Sequence, residues 1–323
     1  MDILCNGSIA YDYLMTFPGY FRDHILVDRL DTISLSFLVD SLTRQRGGTA
    51  TNIAYTLALL GGRPRLMATV GEDFTEYRAW LESMHIDTAN VRAIPGLFTA
   101  SFFANTDQAN AQISSFYTGA MARAGELSLH ELQGGKPDLV VISAHDPVGM
   151  RRTAEECREL GIRYLYDPSQ QVVRIDPEDI RRGVEGAWAL FVNEYEYELV
   201  QKHTGMTLKN ILATVELVVV TCGEQGARIY RKDGEISIPA APPCRIVDPT
   251  GVGDAFRGGF LTGTRLNLDL ETCGRIGALA ATYCIEQKGT QNHTYTTADF
   301  LMRYERTFGT IDRLRDNLSS VGE

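Results

Sequence analysis

Thirteen residues late in the chain, Asp248-Pro-Thr-Gly-Val-Gly-Asp254-Ala-Phe-Arg-Gly-Gly-Phe260, put a glycine turn, a carboxylate and a helix start within seven positions. That combination suits phosphoryl transfer. Gly251 and Gly253 let a backbone approach an anion closely, and the helix that follows offers unpaired N–H groups and the positive end of its dipole. Asp254 stands where it could take a proton from a hydroxyl beside that hole. Taken singly, the glycines and the acid fit an ordinary capped turn equally well. The full string is more specific.

Such residues act only if strands and helices bring their loops together. Short apolar runs ending in Gly, Asp or Asn alternate with amphipathic stretches, the pattern of an α/β protein with helices around a mostly parallel sheet. Strands are expected over 2–5, 65–70, 138–143, 164–166, 189–192 and 217–221, and helices over 51–60, 150–160 and 274–286. In open α/β sheets ligands bind beyond the C-terminal strand ends. The clusters Asn6-Gly7-Ser8, Asp167-Pro-Ser-Gln-Gln171, Asn193-Glu-Tyr-Glu196 and Thr221-Cys-Gly223 fall at such ends. Residues from about 11 to 46 and from 97 to 117 break the alternation, being rich in Phe, Tyr, Thr, Ser and Ile, and read as a small β lid. A hairpin over 227–238 is expected to turn at Asp233-Gly234 in type I′ geometry. With no internal repeat or long linker, residues 1–323 read as one domain carrying that lid.

Composition narrows the partners. A formal charge of -10 speaks against nucleic acid or an anionic membrane, whereas a small anion can still be held by local N–H groups and Mg²⁺. The six cysteines form no C-x-x-C pair and no zinc or dense disulfide pattern, so they read as reduced thiols of a cytoplasmic protein. The start of the chain lacks a basic segment followed by an apolar one, and no 18-residue apolar run occurs, so a soluble, unexported protein is expected. The G-x-x-x-x-G-K-[ST] loop is absent, and Phe256 stands where a dinucleotide fingerprint needs its third glycine. Neither H-E-x-x-H nor G-x-S-x-G occurs.

Two segments resemble the signatures of the ribokinase-like family of sugar and nucleoside kinases, and in the family's order: Gly47-Gly48-Thr-Ala-Thr-Asn52 and Asp248 to Phe260. The likeness spans nearly the whole chain and is strongest to the bacterial adenosine kinases, on Gly7-Ser8-Ile-Ala-Tyr-Asp12, Ser36-Phe-Leu-Val-Asp40 and Asp167-Pro-Ser-Gln-Gln171. Pro249 and Val252 depart from the Asp-Thr-x-Gly-Ala-Gly-Asp of sugar kinases and favour the nucleoside branch. The resemblance implies an ATP- and Mg²⁺-dependent kinase that phosphorylates the 5′-hydroxyl of adenosine. A broad nucleoside kinase, a ribose or fructose kinase, and a silent nucleoside-binding protein remain alternatives.

By the same resemblance Asp254 is the base, and the N–H groups of Gly251, Val252 and Gly253 hold the transferred phosphoryl group. An Asp at a helix N-terminus is expected to stay ionised and to be a weak base, which a loose transition state tolerates. Asn193 and Glu196 match the N-x-x-E motif used near Mg²⁺ and the phosphates, Glu196 acting through water; Thr221 and Gly223 match the nucleotide-side loop. Ser8, Asp12, Gly48 and Asn52 resemble the ribose-binding set, and Gln170 and Gln171 could reach base or ribose. Taken singly, Asp12 and Asn52 could equally be a turn residue and a helix-start residue. Phe102 and Phe116 match aromatics that sandwich adenine, and Gly289-Thr-Gln291 lies where the adenine pocket closes. Asp248 and Thr250 lie where relatives bind K⁺, which nothing in the sequence decides. An uncovered lid face implies a homodimer through the lids, and in the kinases this chain resembles one lid phenylalanine can come from the partner chain.

Overall fold

Runs such as Leu139-Val-Val-Ile142 and Leu217-Val-Val-Val-Thr221 have no polar alternation, so they suit strands buried on both faces. The computed structural model, which describes residues 1–26, 31–32 and 34–310, places them at the centre of a nine-stranded sheet. Its order is β13 (Gly234–Ile238), β12 (Ala227–Arg231), β11 (Leu217–Thr221), β10 (Ala189–Asn193), β9 (Arg163–Tyr166), β8 (Leu139–Ile142), β1 (Ile3–Asn6), β4 (Arg65–Val70) and β5 (Asp87–Ala93). From β11 to β5 every pairing is parallel; β12 and β13 join antiparallel. The chain leaves β1 towards β4 and returns to β8 on the other side of β1. That reversal opens a crevice at the β1 and β8 ends.

Alternate residues of these strands feed two cores. Ile3, Cys5, Leu139 and Val141 pack with helices Thr49–Leu59, Val252–Arg265 and Leu270–Ile285 through Ile53, Phe256, Phe260 and Cys273. Leu4, Val140 and Ile142 pack on the opposite face with helices Pro147–Glu159, Pro177–Val184 and Glu194–Thr204. A separate four-stranded sheet has the order β3 (Ser41–Gly47), β2 (Ala10–Thr16), β6 (Ala100–Thr106) and β7 (Gln112–Tyr117). Of the expected lid range 11–46, residues 27–30 and 33 lie outside the described residues.

Helix starts differ from the sequence reading in one direction. The helix expected over 150–160 begins at Pro147, with Asp146 Oδ2 accepting from Gly149 N–H at 3.1 Å, and the one expected over 274–286 begins at Leu270 behind Asp269. Each cap sits a turn before the apolar periodicity becomes visible. The helix expected from 51 begins at Thr49, whose N–H donates to Ser8 Oγ at 3.0 Å, a cap from distant sequence. The hairpin also differs. Arg231 pairs with Gly234, so the turn residues are Lys232 and Asp233, neither with positive φ, and type I′ geometry is excluded.

His293 is buried at 1% exposure with neither ring nitrogen hydrogen-bonded, its ring 5.2 Å from that of Tyr55. Burial pushes its pKa down to about 4. The unfolded chain therefore takes up this proton before the folded one, and stability is full above about pH 6.5 and lost as pH falls towards 4. Between pH 7 and pH 5 His293 should cost roughly 2 kcal/mol. His293→Leu should accordingly show a smaller shift of urea midpoint between those pH values than the parent. Equal shifts would clear His293 of the acid lability.

Candidate active site

The strand-end crevice widens into a cleft of about 850 Å³ bounded by the smaller sheet. Its floor is the glycine turn. Gly251 has φ 77 and forms the N-cap of the helix Val252–Arg265 without any side-chain cap, so the first-turn N–H groups stay available. A Cβ on Gly251 would lie 2.7 Å from Thr290 Cγ2, so packing as well as φ demands glycine. Gly253 is pressed from below, where a Cβ would meet Arg257 Nη1 at 2.8 Å.

Asp254 projects from that first turn and accepts a 2.8 Å hydrogen bond from Asn52 Nδ2. Asn52 is in turn fixed by Gln291, whose Nε2 donates to Asn52 Oδ1 at 2.7 Å, and Gln291 is held by Tyr77. The carboxylate keeps some exposed surface at the cleft floor, yet protein encloses its flanks. Enclosure raises its pKa to about 6, against the lowering effects of Arg257 and of the Asn52 hydrogen bond. Enclosure leaves a carboxylate that is largely ionised at pH 7 and more basic than a surface one.

On the acceptor side, register does what sequence distance hides. Gln45, Asp12, Phe102 and Phe116 stand directly opposite one another across β3, β2, β6 and β7, so they form one row on one face. Asp12, Phe102 and Phe116 line the cleft from that row. Burial, then the nearby Asp248, raises Asp12 to about 6. Ser8, Gly48, Asn52, Gln170 and Gln171 also line the cleft. Ser8 Oγ already caps Thr49, and Gly48, at φ 100, has its missing Cβ space taken by Ser8 O at 2.5 Å. Gly48 is thus required first by the chain's own crossing. Gln171 is 6% exposed with Oε1 lacking a partner, while the neighbouring Ser169 takes φ 45, a strained angle for a residue with a side chain.

At the other end of the cleft lie Asn193, Glu196, Thr221 and Gly223. Asn193 and Glu196 form a capping box: Glu196 N–H donates to Asn193 Oδ1 at 2.8 Å, and Asn193 N–H to Glu196 Oε2 at 2.9 Å. Glu196 Oε1 and Asn193 Nδ2 are left for a ligand. Asp248 is placed differently. It does not line the cleft, and its two oxygens accept from Thr250 and Gly289 N–H at 2.9 Å each, pinning the loop before the glycine turn. The sequence reading missed Arg257 as a lining residue, although its spacing of three from Asp254 puts both on one helix face. It also missed Arg174, for which the sequence carries no signal.

An uncapped glycine turn facing an enclosed carboxylate is the equipment of a phosphotransferase, and the two-sheet architecture around it is ribokinase-like. The chain belongs to the pfkB family of carbohydrate kinases, whose profile matches residues 18–297, and is accordingly an ATP-dependent phosphotransferase acting on a hydroxyl group. Curated relatives called nucleoside kinase, from Methanocaldococcus jannaschii and Methanothermobacter thermautotrophicus, are 29% and 31% identical over 94% and 95% of this chain and 97% of each of theirs. The solved Burkholderia thailandensis nucleoside kinase in complex with inosine aligns with a TM-score of 0.86 and 36% identity, covering 95% of this chain and 99% of that one.

Proposed function

We propose that this kinase transfers the γ-phosphoryl of ATP to the 5′-hydroxyl of nucleosides, adenosine among them, giving the nucleoside monophosphate and ADP. The observation that carries the reading is the row Asp12–Phe102–Phe116: a carboxylate for sugar hydroxyls beside two aromatic rings for a base, facing the same cleft as Asp254. A free sugar has nothing to stack on those rings. The relatives named nucleoside kinase support the same class. Restriction to adenosine rests on sequence resemblance, in the segments 7–12, 36–40, 167–171 and 248–254, and a broad nucleoside range fits this cleft equally well.

In this reading Asp254 receives the 5′-hydroxyl proton late in a loose transition state, while the N–H groups of the Gly251–Gly253 turn hold the charge on the transferred group. Asn52 keeps Asp254 aimed, and Asp12 and the unpartnered Gln171 Oε1 receive sugar or base donors. Mg²⁺ bound with ATP supplies charge neutralisation at the phosphates. Glu196 would hold a water of that ion, since one carboxylate oxygen is free of its capping box.

ADP release with Mg-ATP against adenosine, inosine, guanosine, cytidine, ribose and fructose tests the reading. Fastest turnover with ribose or fructose would overturn it; turnover with adenosine alone would narrow it. Phe102→Ala and Phe116→Ala should raise KM for adenosine roughly 5- to 150-fold and leave ribose little changed, because stacking on a base contributes about 1–3 kcal/mol. Equal effects on both acceptors would point to folding of the sheet instead.

Assembly as a homodimer through the smaller sheet belongs to the same proposal. Phe116 is 48% exposed in the single chain, with Leu42, Phe103, Ile113 and Tyr117 also exposed on that sheet. Sedimentation as a monomer at micromolar concentration would remove it.

A further inference from the structure

Arg257 has no part in the mechanism above, yet it is buried directly beside it. It lies one turn after Asp254 on the same helix, 4% exposed, and lines the cleft floor. Its Nη2 donates to Asp167 Oδ1 at 2.6 Å, and its Nε lies 2.5 Å from Asp167 Oδ2 without hydrogen-bond geometry, so a close ion pair is built around one hydrogen bond to a carboxylate with 0% exposure. Asp167 is itself anchored at the end of β9, its N–H donating to Ile142 O at 2.9 Å. Two of the three guanidinium nitrogens lie within ion-pair distance of Asp167, and Nη2 is the one that donates to it. The third, Nη1, has no hydrogen-bond partner among the described residues and lies against the Gly253 position, beneath the turn that presents the N–H groups.

We propose that Arg257, anchored by its ion pair with Asp167, is a positioning residue of the reaction centre: a fixed positive charge that backs the glycine turn and balances Asp254. Charge around the centre makes it necessary. Asp12, Glu196 and Asp254 line the cleft, and the cationic residues lining it are Arg257 and the exposed Arg174. The charged or titratable groups facing Asp254 are Arg257 from its own helix, Glu196 from the start of Glu194–Thr204, Asp167 from the end of β9 and Cys284 from Leu270–Ile285. Arg257 is the cation among them, and it lowers the Asp254 pKa where burial and Glu196 raise it. A buried ion pair adds little to stability compared with an apolar pair of the same volume. An ion pair kept at this place therefore suits an electrostatic task better than a strut.

The proposal rests on Asp254 as the base in phosphoryl transfer, so the test needs one readout that does not. Three variants serve: Arg257→Gln, Arg257→Lys, and the double variant Asp167→Asn with Arg257→Gln, which removes the ion pair as a unit and leaves neither Asp167 nor Arg257 without its partner. With Arg257→Gln and the double variant, the acid limb of kcat/KM should move up by at least about one pH unit. At pH 7 kcat should fall about 10-fold or more, with KM for adenosine and ATP within about 3-fold. Arg257→Lys should hold the limb near the parent's position, because it keeps the charge. Independently of any acceptor, the Asp254 carboxyl followed by carbon NMR in the substrate-free protein should titrate higher in the double variant. If no nucleoside proves to be a substrate, that shift still reports on the pair. A folded double variant with the parent's NMR midpoint would reduce the pair to a strut between helix and sheet and overturn the proposal, as would a lysine variant that behaves like the glutamine one.

Discussion

Asp254→Asn is expected to lower kcat by at least about 100-fold while leaving adenosine binding within about 3-fold. The substitution keeps the size and the position behind Asn52 but removes the only feature a base needs. The parent's pH profile carries the same information. Asp254 must be ionised to take a proton, and its pKa is raised to about 6, so kcat/KM should be flat above neutrality and fall as pH drops through 6. Asp12 is raised to about the same value, so two protons bind over one interval and the limb should approach a slope of two on logarithmic axes. Asp12→Asn should reduce that slope towards one. A profile without an acid limb near 6, or full turnover by Asp254→Asn, would take the base role from Asp254.

Gly251→Ala is expected to reduce kcat by roughly 10²- to 10³-fold, the loss seen when one donor leaves a preorganised oxyanion site. Two causes act together. The residue sits at φ 77, where an L side chain costs about 1–2 kcal/mol, and the added methyl would lie 2.7–2.8 Å from the Thr290 side chain. The turn has to shift, and its N–H groups shift with it. Gly309 supplies the control: its φ is 91 with nothing within 4 Å of a Cβ, so Gly309→Ala carries the strain without the clash and should leave kcat unchanged. Undiminished kcat in Gly251→Ala would mean that the turn does not hold the phosphoryl group.

The parts of the fold legible in the sequence were those with local causes. Apolar runs without polar alternation gave strands such as Leu139–Ile142 and Leu217–Thr221 within a residue, because burial on both faces leaves no other pattern. Helix starts were misread where a cap lay upstream of the periodicity, at Asp146 and Asp269, or came from elsewhere in the chain, as Ser8 does for Thr49. β5 (Asp87–Ala93) went unseen because an edge strand with five exposed or half-exposed polar or small residues has no apolar run to betray it. The hairpin at Lys232-Asp233 was shifted by one residue, since Asp-Gly suits both a type I′ turn and a turn that ends on glycine.

Reaction chemistry was determined by the sequence alone, because its elements are contiguous: the positive-φ glycine, the open helix start and Asp254 lie within one turn of one helix, and no folding partner is needed to bring them together. The tertiary structure decided everything that depends on distant segments. It set residues 12, 102 and 116 in one row through strand register, tied Asn52 and Gln291 to Asp254, withdrew Asp248 into a loop brace, and slid the Asp167–Arg257 pair under the turn. It also decided basicity. Proximity to a helix N-terminus is written in the sequence and lowers a carboxyl's pKa, whereas the enclosure that raises it is a product of tertiary packing and has no local signal.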